Sequence, residues 1–161
     1  MDEFRKRKYE SITEFIDDIK FLLKNHKKIK SVQNGKMISD DFRERLMMAV
    51  TAVNGCRYCS FFHSRLALKS GISSEELDFL LDGTLKDSPD NQKLALFYAQ
   101  HWTENGGEAD KDFEEKLVKM YGNRKAMAIK LALRSIYFGN LLGNTFDYIL
   151  YKITFGKIGN S

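Results

Sequence analysis

Both cysteines of the chain and one of its three histidines fall within eight residues, Cys56-Arg57-Tyr58-Cys59-Ser60-Phe61-Phe62-His63. A thiolate attacks peroxides and disulfides, whereas a neutral thiol is a poor nucleophile. Two neighbouring thiols can pass through a sulfenic acid and condense to a disulfide. On a helix, steps of about 100° place Cys56, Cys59 and His63 within a sector of about 60°. Cys59 and His63, four residues apart, are direct neighbours there. Asn54-Gly55 suits a left-handed helix stop and Arg57 a restart, which puts Cys59 in a first turn. Unpaired backbone N–H groups and the positive end of the helix dipole favour a thiolate at such a place. The chemistry is thiol redox.

Each residue also has a plainer reading. Free cysteines are often inert core, and a lone histidine is often a hydrogen-bonded core residue. Two Cys, one His and Glu44 also make four zinc ligands on paper. A zinc-binding or redox-sensing module without catalysis is therefore the alternative to an enzyme. Glu44 sits on a helix whose apolar stripe is Phe42, Leu46, Ala49, Val50 and Val53. It points roughly opposite, beside Met47, Met48 and Thr51, where position alone reads as solvent-facing. The two methionines there call for a second wall. His26, His101 and Trp102 read as structural or surface residues, and Phe61, Phe62 and Leu66 as core.

The elements that must position this cluster are helices. Proline occurs once, and apolar residues recur at three and four. A capping box, Ser11-Ile12-Thr13-Glu14, opens a helix to about Lys24, with Ile12, Phe15, Ile16, Ile19 and Leu23 on one side. A turn-like stretch follows, from Ser31 to Ser39. Ser39 is the candidate N-cap of a second helix, about Asp40 to Val53, and a third runs from Arg57 to before Gly71. Ser73-Ser74-Glu75-Glu76 opens a short helix closed by Gly83. Ser88-Pro89 opens another, to about Thr103. A short helix, about Asp112 to Met120, stops at Gly122. The last, about Arg124 to Tyr151, is apolar nearly all round, which places it at the centre of the domain or in a subunit interface. Gly139 and Gly143, four apart, allow another helix to come close.

Length and composition bound the rest. A chain of 161 residues, 43% hydrophobic, is one all-α domain of six or seven helices with a core that needs no staple. Two cysteines cannot build a secreted disulfide framework. The start, Met1-Asp2-Glu3-Phe4-Arg5-Lys6-Arg7-Lys8, lacks the apolar core of a signal peptide. The longest uncharged stretch, Ser135 to Phe146, is short of the ~20 residues of a spanning helix. A cytoplasmic protein with no membrane partner is expected. The net charge of +4 comes from lysines and arginines scattered among acids, Lys27-Lys28-Ile29-Lys30 apart, so no nucleic-acid partner is expected.

At the cysteine cluster the chain resembles the alkylhydroperoxidase D-like branch of the carboxymuconolactone decarboxylase superfamily. That branch carries Glu-x(11)-Cys-x-x-Cys-x-x-x-His, and Glu44 stands at the matching distance before Cys56. The flanks Ala52-Val53-Asn54-Gly55 and His63 to Gly71, then Ile72-Ser73-Ser74-Glu75-Glu76, are similar too. The strong likeness covers about 39–83, with a looser one out to Gly139-Asn140-Leu141-Leu142-Gly143. Residues 1–38 match nothing in that family and read as an N-terminal helical extension. Residues 39–161 read as the alkylhydroperoxidase D-like domain, the whole being one compact unit.

The resemblance implies a thiol peroxidase of peroxiredoxin type that reduces a small hydroperoxide. It implies no bound cofactor, the redox-active Cys56–Cys59 disulfide and an external dithiol serving instead. The electron donor would be a lipoyl-bearing or another dithiol protein, and the assembly a homo-oligomer, a trimer or a hexamer. Cys59 would attack and Cys56 resolve, with Glu44 and His63 relaying protons. Thioredoxin-like logic would make Cys56 the attacker. A first-turn position favours Cys59. Tyr58 stands where the family has a histidine, which implies weaker peroxidase activity. A carboxymuconolactone decarboxylase-like enzyme ranks below both other readings, because the cysteine pair marks the redox branch.

Overall fold

Side-chain caps begin four of the helices. Ser11 accepts from Glu14 N, Cys56 from Cys59 N, Ser73 from Glu76 N and Asp110 from Phe113 N. The computed structural model describes residues 3–160; Met1 and Asp2, part of the N-terminal stretch read above, lie outside the described residues, as does Ser161. The helices are α1 (Ile12–Gln33), α2 (Asp40–Asn54), α3 (Arg57–Lys69), α4 (Ser74–Leu81), α5 (Asp90–Glu104) and α6 (Lys111–Ile153). No strand occurs among the described residues. The fold is an all-α bundle.

Gly122 takes a non-helical conformation (φ 73°, ψ 161°) inside α6. It divides a short first piece from the long final helix, as the glycine stop suggested. Pro89 rather than Ser88 occupies the cap position of α5.

The centre is α2. Every residue from Phe42 to Thr51 is buried, because α3, α4, α5 and α6 pack around it. Leu46, Met47, Met48 and Val50 are essentially inaccessible, each contributing about 1.5–3 kcal/mol of burial. The second wall that the methionines called for is thus real, and it buries Glu44 as well.

Two expectations about the first helix, its end and its inward face, are corrected. α1 continues to Gln33, so the turn occupies 34–39 rather than starting at Ser31. Of its stripe, Ile12, Ile16 and Leu23 are exposed while Phe15 and Ile19 are half-buried. The inward face instead holds Asp18, with Phe21, Ile29 and Val32 packed on the core. The Arg134 guanidinium (2.6 Å) and the Tyr9 hydroxyl (2.7 Å) hold the Asp18 carboxylate. A buried charge needs its partners, and that requirement sets the rotation of the helix.

The long helix α6 packs on α1, α2, α3 and α5 with Ile129, Leu133 and Ile136 in the core, and it leaves Leu142, Phe146 and Ile149 exposed. It is not apolar all round: Asn140, Asn144 and Asp147 are fully buried along one edge. Phe61 and Phe62, read as core, are exposed on α3.

The segment before α1 lies across the body as a strap. Lys6 pairs with Asp147 (3.2 Å), and Tyr9 N–H donates to the Thr145 hydroxyl (3.1 Å). Arg7 donates to the carbonyls of Thr103 and Glu104 at the end of α5, where a cation suits the helix dipole. Among the described residues, no helix is long and apolar enough to cross a membrane.

Candidate active site

Gly55 ends α2 in the left-handed conformation (φ 65°), and the chain turns straight into α3 with Cys56 as its N-cap. This turn delivers both thiols to one point. The Cys56 and Cys59 sulfurs are 2.9 Å apart and unbonded. Closing to a disulfide of about 2.05 Å needs only a small movement. Cys56 is buried and Cys59 half-buried.

Cys59 does lie in the first turn of α3, but the helix-start hydrogens go to its neighbour. Cys59 N–H donates to Cys56 Sγ at 3.4 Å. The Cys56 thiol is lowered from 9.0 to about 7, first by the hydrogen bond from the Cys59 thiol and then by the amides of Cys59 and Tyr58. Burial and the Asp147 carboxylate oppose this. Cys59 is pushed the other way, chiefly by its hydrogen bond to Cys56, then by burial and by the charge on Cys56. The first-turn amide of Cys59 thus favours an anion on the cap sulfur of Cys56.

Glu44 and His63 meet across the α2–α3 interface. His63 Nδ1 lies 2.7 Å from Glu44 Oε2, and Arg43 donates to Glu44 Oε1 at 3.0 Å. A carboxylate can only accept, so His63 donates through Nδ1 and keeps Nε2 as its basic nitrogen. His63 stands one turn beyond Cys59 on the same helix. The position of Glu44, 1% exposed, differs from the solvent-facing reading. Both of its oxygens are taken, by His63 and Arg43. Among the described residues, no group of three or more His, Cys, Asp or Glu side chains converges to hold a metal ion.

Sequence reasoning did not place α6 in the site. A β-carbon added at Gly143 would stand 2.8 Å from Cys56 Sγ and 3.3 Å from the Tyr58 ring. What the glycine pair admits is the tip of α3. Asp147, fully buried, accepts from Arg57 and from the Tyr58 hydroxyl, both at 2.8 Å, besides pairing with Lys6. Tyr58 is thereby held by a hydrogen bond where the family motif has a histidine. Asn54 donates to Asn140 (3.2 Å), Asn140 to Thr51 (3.2 Å) and Asn144 to the Asn54 carbonyl (2.8 Å). One signal for this edge is visible in the chain: Gly139-Asn140 and Gly143-Asn144 repeat a small-polar doublet at one helical turn.

Gly143→Ala should therefore misplace the cap. Overpacking of this kind costs about 1–3 kcal/mol, readable in urea unfolding, and disulfide formation should slow with it. Gly139→Ala is the control, since its β-carbon would meet Cys59 Sγ at an ordinary 3.8 Å. Equal stability of both variants would contradict the tight approach at Gly143.

A small cavity of about 220 Å³ borders the same turn, lined by Met48, Thr51, Gly55, Cys56, Arg57 and Leu81, among others.

Fold and site together define an all-α protein whose central helix and last helix, at Gly139 and Gly143, flank a paired dithiol. Residues 30–86, which include Glu44, Cys56, Cys59 and His63, match the model described as the Carboxymuconolactone decarboxylase family. That is the superfamily the motif resembles, and the match begins earlier than the likeness read from the sequence. Comparison with curated proteins and with solved structures gave no match.

Proposed function

We propose that this protein is a dithiol oxidoreductase that reduces small hydroperoxides through Cys56 and Cys59, with Glu44 and His63 as a proton relay. The observation that carries the reading is the pair of sulfurs, 2.9 Å apart at a helix tip, beside a hydrogen-bonded Glu–His pair. The Cys56 thiolate attacks the outer peroxide oxygen. The O–O bond breaks, leaving a sulfenic acid on Cys56 and an alkoxide that takes up a proton. Cys59, its proton accepted by the His63–Glu44 pair, then attacks the Cys56 sulfur. Water leaves and the disulfide forms. The thiols lose two electrons and the peroxide gains them.

These roles exchange the two cysteines relative to the resemblance. The reason is local: backbone amides point at Cys56, and Cys59 is the thiol that needs a base. A cavity of about 220 Å³ suits a small oxidant. The half-buried Cys59 is the sulfur an external dithiol reaches, with Cys56 a good leaving thiolate. A lipoyl-bearing or similar dithiol protein in the cytoplasm is the proposed donor. The exposed apolar residues of α3 and α6 suit a homo-oligomeric contact. A decarboxylase-like reaction gives the paired thiols no task, and a zinc clip does not use a carboxylate already held by His63 and Arg43.

Intact-mass measurement after one equivalent of hydrogen peroxide tests the reading. Prompt loss of two hydrogens, reversed by dihydrolipoamide, is the expected result. Two thiols that persist after the peroxide is added would end it.

A further inference from the structure

Arg57 and Tyr58 are the two residues between the cysteines, and both side chains end on one carboxylate oxygen. Arg57 Nη2 and the Tyr58 hydroxyl each donate to Asp147 Oδ1 at 2.8 Å. Arg57 Nη2 also donates to the Tyr58 hydroxyl at 2.9 Å. The other oxygen, Oδ2, accepts from Lys6 of the strap at 3.2 Å. Asp147 is 0% exposed, so its charge depends on these donors. It stands on α6 one turn beyond Gly143, where an added β-carbon would meet Cys56 Sγ and the Tyr58 ring. Asn144 secures the same turn, its Nδ2 donating to the carbonyls of Asn54 and Arg7, each at 2.8 Å. Neither the strap nor this part of α6 lies in the family-matched segment 30–86.

We infer that Asp147 is a positioning residue for the dithiol, fixing the tip of α3 through Arg57 and Tyr58 so that Cys56 stays the cap of the helix and faces Cys59. The inference rests on the dithiol reading above and deepens it. The first turn of a helix is where fraying begins, because its amides lack partners within the helix. Here that turn carries both sulfurs. With its two intervening residues tied to a buried carboxylate, the turn keeps one rotation. That rotation directs the Cys59 N–H at Cys56 Sγ (3.4 Å) and leaves the sulfurs 2.9 Å apart. Groups already held in place react without first being ordered. Lys6 ties the strap to the same carboxylate, so a segment outside the family match takes part in shaping the redox centre.

Tyr58→Phe tests this with the charges of Lys6, Arg57 and Asp147 left in place. After one equivalent of hydrogen peroxide, disulfide closure should slow about three- to tenfold, the usual net worth of one hydrogen bond, and dimedone should trap more Cys56 sulfenic acid. The pH midpoint for alkylation of Cys56, located by peptide mass, should rise above about 7, because a turn that wanders takes the Cys59 amide away from the sulfur. Asp147→Asn should slow closure at least as much. Adding Tyr58→Phe to it should cost little more, since both changes cut the same link. Variants that lose stability in urea but keep wild-type closure and midpoint would mean that Asp147 only supports the fold. Slowing that adds up in the double variant would mean that Tyr58 acts without it. Either result overturns the inference. If Asp147→Asn does not fold, closure and midpoint in Tyr58→Phe decide alone. Wild-type protein that keeps both thiols under peroxide would sink the peroxidase reading, and the Cys56 midpoint would then decide the role of Asp147.

Discussion

Cys56→Ser protein should consume no hydroperoxide, whereas Cys59→Ser should reduce one equivalent and halt with a sulfenic acid on Cys56. The asymmetry follows from the cap geometry, in which the amides of Cys59 and Tyr58 and the Cys59 thiol all point at one sulfur. Stopped-flow peroxide loss with intact-mass readout distinguishes the two variants. The first turnover of the wild-type protein should also carry the signature of that thiolate. With Cys56 ionising at about 7, the rate should rise through pH 7 and level off about one pH unit higher, where the thiolate is nearly fully populated. An unactivated thiol would keep accelerating beyond pH 8.5 or so. The opposite pattern, with Cys59→Ser silent and Cys56→Ser active once, would return the attacking role to Cys59.

Glu44→Gln and His63→Asn should each lower steady-state turnover by about 10²–10⁴-fold, the usual worth of a positioned base. The loss should sit in the second step. Cys56 owes its ionisation to amides and to Cys59, so its alkylation at pH 7 should remain close to wild-type in both variants. Single-turnover peroxide loss should likewise persist while disulfide closure slows. The fold should tolerate Glu44→Gln, since Asp40 (2.6 Å) and the Gln33 carbonyl (2.7 Å) still hold Arg43. Equal damage to peroxide loss and to closure would show that the pair serves the first thiol instead.

Local sequence rules captured what local chemistry decides. The capping residues Ser11 and Ser73, the stop at Gly55, the break at Gly122 and the helical spacing of Cys59 and His63 all depend on a few neighbouring residues. They stand in the structure as read. What failed depends on tertiary partners. Much of the apolar stripe of α1 faces outward because Asp18 must reach Tyr9, outside the helix, and Arg134, far away in the chain. Glu44 is buried because α3 covers the side of α2 that its own helix leaves polar. The polar edge of α6 was masked by the hydrophobic residues between its asparagines. Only the Gly-Asn doublets hinted at it, and spacing alone cannot say what a glycine lets in.

One atom at the tip of α3 has two jobs that conflict. The Cys56 sulfur accepts the Cys59 amide hydrogen as the cap of the helix, and as the proposed nucleophile it must give up the charge that makes it a good acceptor. In the proposed cycle, oxidation would therefore weaken the cap of the helix it starts. The spent protein would differ from the reduced one not only by a bond but by a weaker hold on the Cys59 amide, at the tip where the proposed donor would dock.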